Sequence, residues 1–147
     1  MLEADFSFLP LAAEPAWQQA KELASGLLRA TAVSEVALHA DLHHDNIIGR
    51  SGNWLAIDPK GLFGDPVYDV ANVFRNPHGG GDLVATSSRI DMLADVFAQR
   101  LGWDRRRILC WAAVHSAISA VWDHAAGNST ESDIRMAPIL LKAAVST

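Results

Sequence analysis

Cysteine is nearly missing from this 147-residue sequence, with Cys110 the single one. An internal disulfide and a four-cysteine zinc site are therefore excluded, and the chain suits a reducing cytosol. A long hydrophobic run is missing as well. The most apolar stretch, Ile108 to Trp122, is broken by His115, Ser116 and Ser119. It is too short and too interrupted to cross a bilayer and reads as a buried helix. No charged start leads into an apolar segment, so no secretory signal is expected. Basic residues are the minority, 12 against 17 acidic, for a formal charge of −5. That balance argues against a broad nucleic-acid or anionic-membrane surface. The chain is expected to be cytoplasmic, with neither nucleic acid nor membrane as a partner.

What is present is ordinary for a folded protein. Hydrophobic residues make up 50% and charged residues 20%, which excludes wholesale disorder. The length suits one domain over 1–147, large enough to bury a core without staples. No repeat, low-complexity tract or linker interrupts it.

The first thirteen residues carry no clear period and read as a lead-in. Glu14-Pro15 then opens a helix with Trp17, Ala20, Ala24, Leu27 and Leu28 on one face. Val36 to Leu38 is short and β-prone. Asp65-Pro66 signals a cap and first turn, followed by Val67, Val70, Ala71 and Phe74 on one face. Asn76 to Gly81 breaks that helix. Ile90, Leu93, Phe97 and Leu101 repeat at helical spacing before Gly102, and Asp104 can cap a helix through Ile108, Trp111, Ile118 and Trp122. After Gly127-Asn128-Ser129 a last helix runs to about Val145, with Pro138 bending it or marking its start. Trp17, Trp103, Trp111 and Trp122 read as packing residues, and His115 and His124 as partly buried ones. The chain is α+β, mostly α.

Between these helices lies a hairpin signal. Asn46 to Arg50 and Trp54 to Asp58 flank Ser51-Gly52-Asn53, turn formers with a glycine available for positive φ. A symmetric register pairs Arg50 with Trp54, Ile48 with Ala56 and Asn46 with Asp58. Facing side chains in such a ladder lie roughly 5 Å apart at Cβ. The expectation is that an amide and a carboxylate meet at the hairpin's open end, and a one-residue slip would part them.

The segment from His39 to Asp69 carries the chemistry. It reads H-x-D-x-x-x-x-N at His39, Asp41 and Asn46, then Ile57-Asp58, then G-D-P-x-Y-D over Gly64 to Asp69. Phosphoryl transfer to a hydroxyl needs a carboxylate that takes the proton and oxygen ligands that hold Mg²⁺ against nucleotide phosphates. One Asp and one Asn suffice as protein ligands, because Mg²⁺ keeps several waters. In this reading Asp41 is the base, Asn46 and Asp58 are the ligands, and His39 braces the loop. Asp65 reads as a helix cap, Asp69 as a partner for backbone or a basic group, and Lys60 as an exposed loop lysine within possible reach of phosphate.

LHADLHHDN, WLAIDPKG and GDPVYDVANVFRNP resemble the C-terminal lobe of the aminoglycoside phosphotransferases, and more narrowly the streptomycin and hydroxyurea-resistance kinase branch. The strong part covers about Leu38 to Pro77. The resemblance implies a protein-kinase-like lobe whose small hairpin carries the catalytic loop and metal ligands. It also implies ATP with Mg²⁺, and phosphorylation of a small molecule, a streptomycin-like cationic antibiotic or hydroxyurea. By motif, Asp41 is the catalytic base and His39 the catalytic-loop residue that braces it, while Asn46 and Asp58 bind the metal and nucleotide. Asp65 and Asp69 hold the lobe together. Ala40 stands where the family commonly has Gly.

A kinase-like enzyme also needs a glycine-rich loop over the phosphates and a strand lysine. Upstream of Asp41 the sequence offers only Lys21 and Gly26. The nucleotide-clamping lobe is expected to be missing and the chain alone to have little or no kinase activity. Two other readings compete. A non-enzymatic remnant of the same fold would expose apolar surface and self-associate. A metal-dependent hydrolase would use the cluster of His39, Asp41, His43 and His44 with Asp45, although the order H-x-D-x-H-H-D matches no common hydrolase motif. Asp123, Glu131 and Asp133 are acids that could attract a cationic substrate. The kinase reading expects elemental analysis of chelator-free protein to find no zinc, iron, nickel or manganese, and a stoichiometric transition metal would favour the hydrolase.

Overall fold

The computed structural model describes residues 14–30 and 34–146, so the lead-in lies outside the described residues. Among the described residues five α-helices and four short strands follow one another: α1 (Glu14–Arg29), β1 (Val36–Leu38), β2 (Ile47–Arg50), β3 (Asn53–Ala56), β4 (Leu62–Gly64), α2 (Tyr68–Ala71), α3 (Ser87–Leu101), α4 (Arg105–Ala125) and α5 (Glu131–Val145). One 3₁₀ turn, His44–Asn46, leads into β2. A second, Asn72–Arg75, extends α2.

Helix α4 is the centre of the packing. Its residues 108–117 are all buried, with no solvent face over nearly three turns. That is why the apolar stretch is uniform rather than striped. Asp104 caps it as its position predicts, accepting from the Arg107 N–H at 2.7 Å. The other helices lay apolar stripes against it, and Phe74, Ile90, Ile108, Leu109, Met136 and Leu140 are fully buried together. Trp17 sits in a smaller cluster where Ala117, Ala120 and Ala137 leave room for an indole. Gly102 ends α3 in the left-handed conformation, φ 69°, with its N–H on the Ala98 carbonyl.

Several expectations need correction. Leu28 is 60% exposed, while Leu27 beside it packs against the core. Leu101 and Trp122 are also exposed, and so is His124, each at or near a helix end. Helix α5 runs unbroken from Glu131 through Pro138. Pro138 is exposed, so the carbonyl its missing N–H leaves free can meet water.

The strands form two separate antiparallel ribbons. In one, β1 pairs with β4, Leu38 facing Leu62 and Val36 facing Gly64. Three residues are too few for a readable period, and β4 has no signal in the sequence. The other is the expected hairpin, with its register shifted by one residue. Ile47 faces Ala56, Ile48 faces Leu55, Gly49 faces Trp54 and Arg50 faces Asn53. The turn has two residues, Ser51 and Gly52, both with positive φ (51° and 84°). A two-residue turn of that hand matches the twist of the flanking strands, so Asn53 joins the ladder instead of the loop.

Arg75 ties α2 to the far helices. Its guanidinium bonds Asp133 twice, at 2.9 and 2.7 Å, and Asp123 at 3.0 Å. Burial works against that charge, yet the two carboxylates outweigh it and hold the Arg75 pKa above its ordinary value. Asp123 and Asp133 are thus committed to Arg75 rather than displayed to a substrate.

His115 lies at the same level of α4, 4% exposed. Tyr68 and Trp122 flank its ring at 5.4 and 6.4 Å, and Nδ1 is 3.2 Å from the Ser119 hydroxyl. Burial, and then the charge of Arg75, lower its pKa from 6.5 to about 3, with Asp41 acting in the opposite sense. The unfolded chain therefore takes up a proton near pH 6.5 that the native state refuses until about pH 3. Stability from this group is complete above that window and is lost as pH falls through it, by up to about 1.4 kcal/mol per pH unit. Urea unfolding measured from pH 7.5 down to 4.5 should show this slope, reduced in His115→Gln; an undiminished slope in the variant would assign it elsewhere.

Candidate active site

The loop from His39 to His43 leaves β1 directly after the buried Leu38. It is held from two sides. From α2, the Asp69 carboxylate accepts the N–H of His39 at 3.0 Å and that of Ala40 at 2.7 Å. From the hairpin side, His39 Nε2 lies 2.7 Å from the Ile57 carbonyl. A carbonyl only accepts, so Nε2 carries the proton, and Nδ1 is left to accept the Asp41 N–H at 3.3 Å. The Lys60 N–H closes the frame on the His39 carbonyl at 2.8 Å. Both ring nitrogens of His39 are spent on backbone, which is the bracing its position predicts.

These bonds fix Ala40 at φ 63°, a left-handed conformation that costs a residue with Cβ about 1 kcal/mol or more. Asp41 emerges from it with its side chain 28% exposed. Its two oxygens have different partners. Oδ1 accepts from the Asn72 side-chain amide at 3.0 Å, while Oδ2 meets the Lys60 ammonium at 3.2 Å. The backbone carbonyl of Asp41 accepts from the Asn46 amide at 2.9 Å. Nearby, burial and then the Asp41 and Asp69 charges raise the pKa of Tyr68 above its ordinary value.

Asn46 and Asp58 are not the facing pair that a symmetric hairpin predicts. With the register shifted, Asn46 stands opposite Ile57, whose N–H donates to the Asn46 carbonyl at 2.9 Å. Asp58 follows directly, exposed and at φ 56°, so both residues still belong to the open end of the hairpin. Asn46 uses its amide N–H on Asp41, which leaves its side-chain oxygen available. No hydrogen bond occupies the Asp58 carboxylate among the described residues. Two free oxygen donors of this kind fit Mg²⁺.

The histidine-cluster reading loses its first member. His39 is engaged with backbone, and the ligand atoms that come within 4.8 Å of one another belong to His43, His44 and Asp45, the latter two exposed. Asp65 is a structural anchor. It accepts from the Val67 N–H at 3.0 Å, from Arg107 at 2.8 and 2.6 Å, and from the Trp111 indole, which fastens the start of α2 to α4.

Lys60 and Asn72 were not among the residues expected at the centre of the site. An isolated loop lysine carries no signal. Asn72 does: Asp69, Asn72 and Asn76 recur at helical spacing on the face away from Val70, Ala71 and Phe74, and a polar row beside the core demands partners.

A family model described as aminoglycoside/hydroxyurea antibiotic resistance kinase matches residues 9–127. A streptomycin 3''-kinase of Klebsiella pneumoniae is 38% identical over 90 residues, 58% of this chain and 34% of its own. A hydroxyurea phosphotransferase of Kitasatospora aureofaciens is 33% identical over 122 residues, 76% of this chain and 34% of its own. A streptomycin 6-kinase of Streptomyces glaucescens is 33% identical over 90 residues, 29% of its length. The chain therefore spans about a third of the length of the curated relatives it matches. No solved structure gives a significant match.

Ala40→Gly should relieve the left-handed backbone without removing any bond to the loop. A gain of about 1 kcal/mol in unfolding free energy is expected, read by urea denaturation, and a loss of stability would show that Ala40 is not strained.

Proposed function

The chain belongs to the aminoglycoside/hydroxyurea antibiotic resistance kinase family, and from that premise we propose that the His39–Asp58 region is the catalytic-loop half of a small-molecule phosphotransferase site. The observation that carries the reading is the carboxylate of Asp41, fixed through Oδ1 and reachable at Oδ2, beside two uncommitted oxygen donors on the hairpin. The lobe around it is mostly helical with two small antiparallel ribbons, which is compatible with this reading.

In this reading Asp41 is the general base. Its Oδ2 accepts the proton of the substrate hydroxyl as that oxygen bonds to the γ-phosphorus and the bond to the departing ADP oxygen breaks. His39 is a positioning residue that sets the loop carrying Asp41. Asn46, through Oδ1, and Asp58, through its carboxylate, would hold Mg²⁺, which neutralises charge on the phosphate oxygens when bound. Lys60, paired with Asp41 and 62% exposed at its side chain, can turn from Asp41 toward phosphate. The acceptor class is a streptomycin-like cationic antibiotic or hydroxyurea, and the nucleotide is ATP. The nucleotide-covering part would be supplied outside the residues described.

A second reading, a non-catalytic module of the same fold, draws on the exposed apolar residues. Trp54 is 74%, Phe63 71% and Leu55 64% exposed, and Phe63 and Trp122 border an open groove of about 670 Å³. Such a surface favours self-association or packing against further protein.

Two measurements separate the readings. Added Mn²⁺ should broaden the NMR signals of Asn46 and Asp58, and Asp58→Ala should abolish the effect; broadening indifferent to Asp58 would remove the ligand assignment. Any ATP-dependent phosphorylation of streptomycin or hydroxyurea should fall by about 10²- to 10⁴-fold in Asp41→Asn. Transfer that survives that change would exclude Asp41 as the base.

A further inference from the structure

The site contains a part that neither the family motifs nor the comparisons assign. Asn72 and Asn76 are 4% and 8% exposed, buried amides one turn apart on the extension of α2. The Asn76 side-chain N–H₂ donates to both the backbone carbonyl and the side-chain oxygen of Asn72, at 2.9 and 3.0 Å. With its oxygen taken, the Asn72 amide has only its N–H₂ left to present, and it donates to Asp41 Oδ1 at 3.0 Å. The order cannot be reversed, because an ionised carboxylate accepts and does not donate. The far end is anchored too. Arg89 donates to the carbonyls of Phe74 at 2.8 Å and Asn76 at 2.6 Å, so the turn bearing both amides is fixed from α3.

We propose that Asn72 is a positioning residue for phosphoryl transfer: it holds Oδ1 of Asp41 and thereby selects Oδ2 as the oxygen that takes the substrate proton, with Asn76 setting which way the Asn72 amide faces. This rests on Asp41 being the base. An aspartate has two χ angles and two equivalent oxygens, so an unrestrained one divides itself among several orientations, only some productive. The backbone of Asp41 is held separately, by Asn46 and by His39, so loss of Asn72 leaves that backbone in place and the carboxylate with only the longer approach of His43 Nε2, 3.8 Å from Oδ1, and the exposed Lys60 at Oδ2. The Oδ2 side differs in kind. Lys60 meets it from an exposed position, a partner that can leave when substrate arrives, whereas the buried amide cannot.

Asn72→Ala is expected to fold, since Asn76 still donates to the backbone carbonyl of residue 72. In the isotope-labelled chain, the two Hα–Hβ couplings of Asp41 should be unequal in the parent protein, which reports one rotamer, and should converge in Asn72→Ala. In Asn76→Ala they should converge partly, as the Asn72 amide becomes free to flip. Turnover should fall about 10- to 100-fold in Asn72→Ala with KM for both substrates unchanged. A single Asp41 rotamer that persists without Asn72 would overturn this inference alone. Transfer indifferent to Asp41→Asn would overturn the phosphotransferase reading alone, and the couplings would still decide whether Asn72 orients the carboxylate.

Discussion

Everything in the site depends on one carboxylate receiving two backbone N–H groups. Asp69 accepts from His39 and Ala40, partners 30 and 29 positions earlier in the sequence. A loop alone would not hold a left-handed alanine, and the neighbouring N–H groups would turn to water. With Asp69 in place both donors are satisfied by a charged acceptor, the stronger class of hydrogen bond, and the backbone follows. His39 then finds the Ile57 carbonyl, and Asp41 is aimed at Asn72. The strain at Ala40 is a consequence of this arrangement, sustained because the surroundings over-determine it.

The helical turn that supplies Asp69 serves two purposes. One face carries Asp69, Asn72 and Asn76 toward the loop. The other carries Val70, Ala71 and Phe74 into the core, and Arg75 reaches across to Asp133 and Asp123. Asp65 pins its beginning to Arg107 and Trp111 on α4. Chemistry and core are therefore joined through the stretch from Asp65 to Asn76, which the sequence displays as a single motif-rich run from Gly64 onward.

Much of this was legible beforehand, and the failures have physical causes. Helices α1 and α3 announce themselves through 3.6-residue stripes and α4 through its Asp104 cap and apolar run, while Asp41, His39 and Asn46 stand out through spacing. The hairpin was visible from its turn formers, but its register depended on Ser51 adopting a positive φ that nothing local demands. One residue of difference removed the cross-strand pairing of Asn46 with Asp58. Strand β4 is held by pairing with β1, a non-local reward with no local pattern. Leu28 and Trp122 continue apolar stripes yet are exposed, and a stripe does not record how far its partner covers it. Asn72 was readable in principle from its helical spacing to Asp69 and Asn76, yet its partner lies 31 positions away and only the fold brings them together.

The anchoring of α2 has a consequence for how the site moves. Loops that carry catalytic groups commonly open by themselves, at a small fraction of the free energy of global unfolding. Here the amide protons of His39 and Ala40 are locked on a side chain rooted in the core, so they can exchange with solvent only when α2 itself lets go. The segment from His39 to Asp41 and the heart of the fold are thus tied to each other. Under the proposed function, substrate entry and product release would be accommodated by side chains such as Lys60, over a floor that stays still.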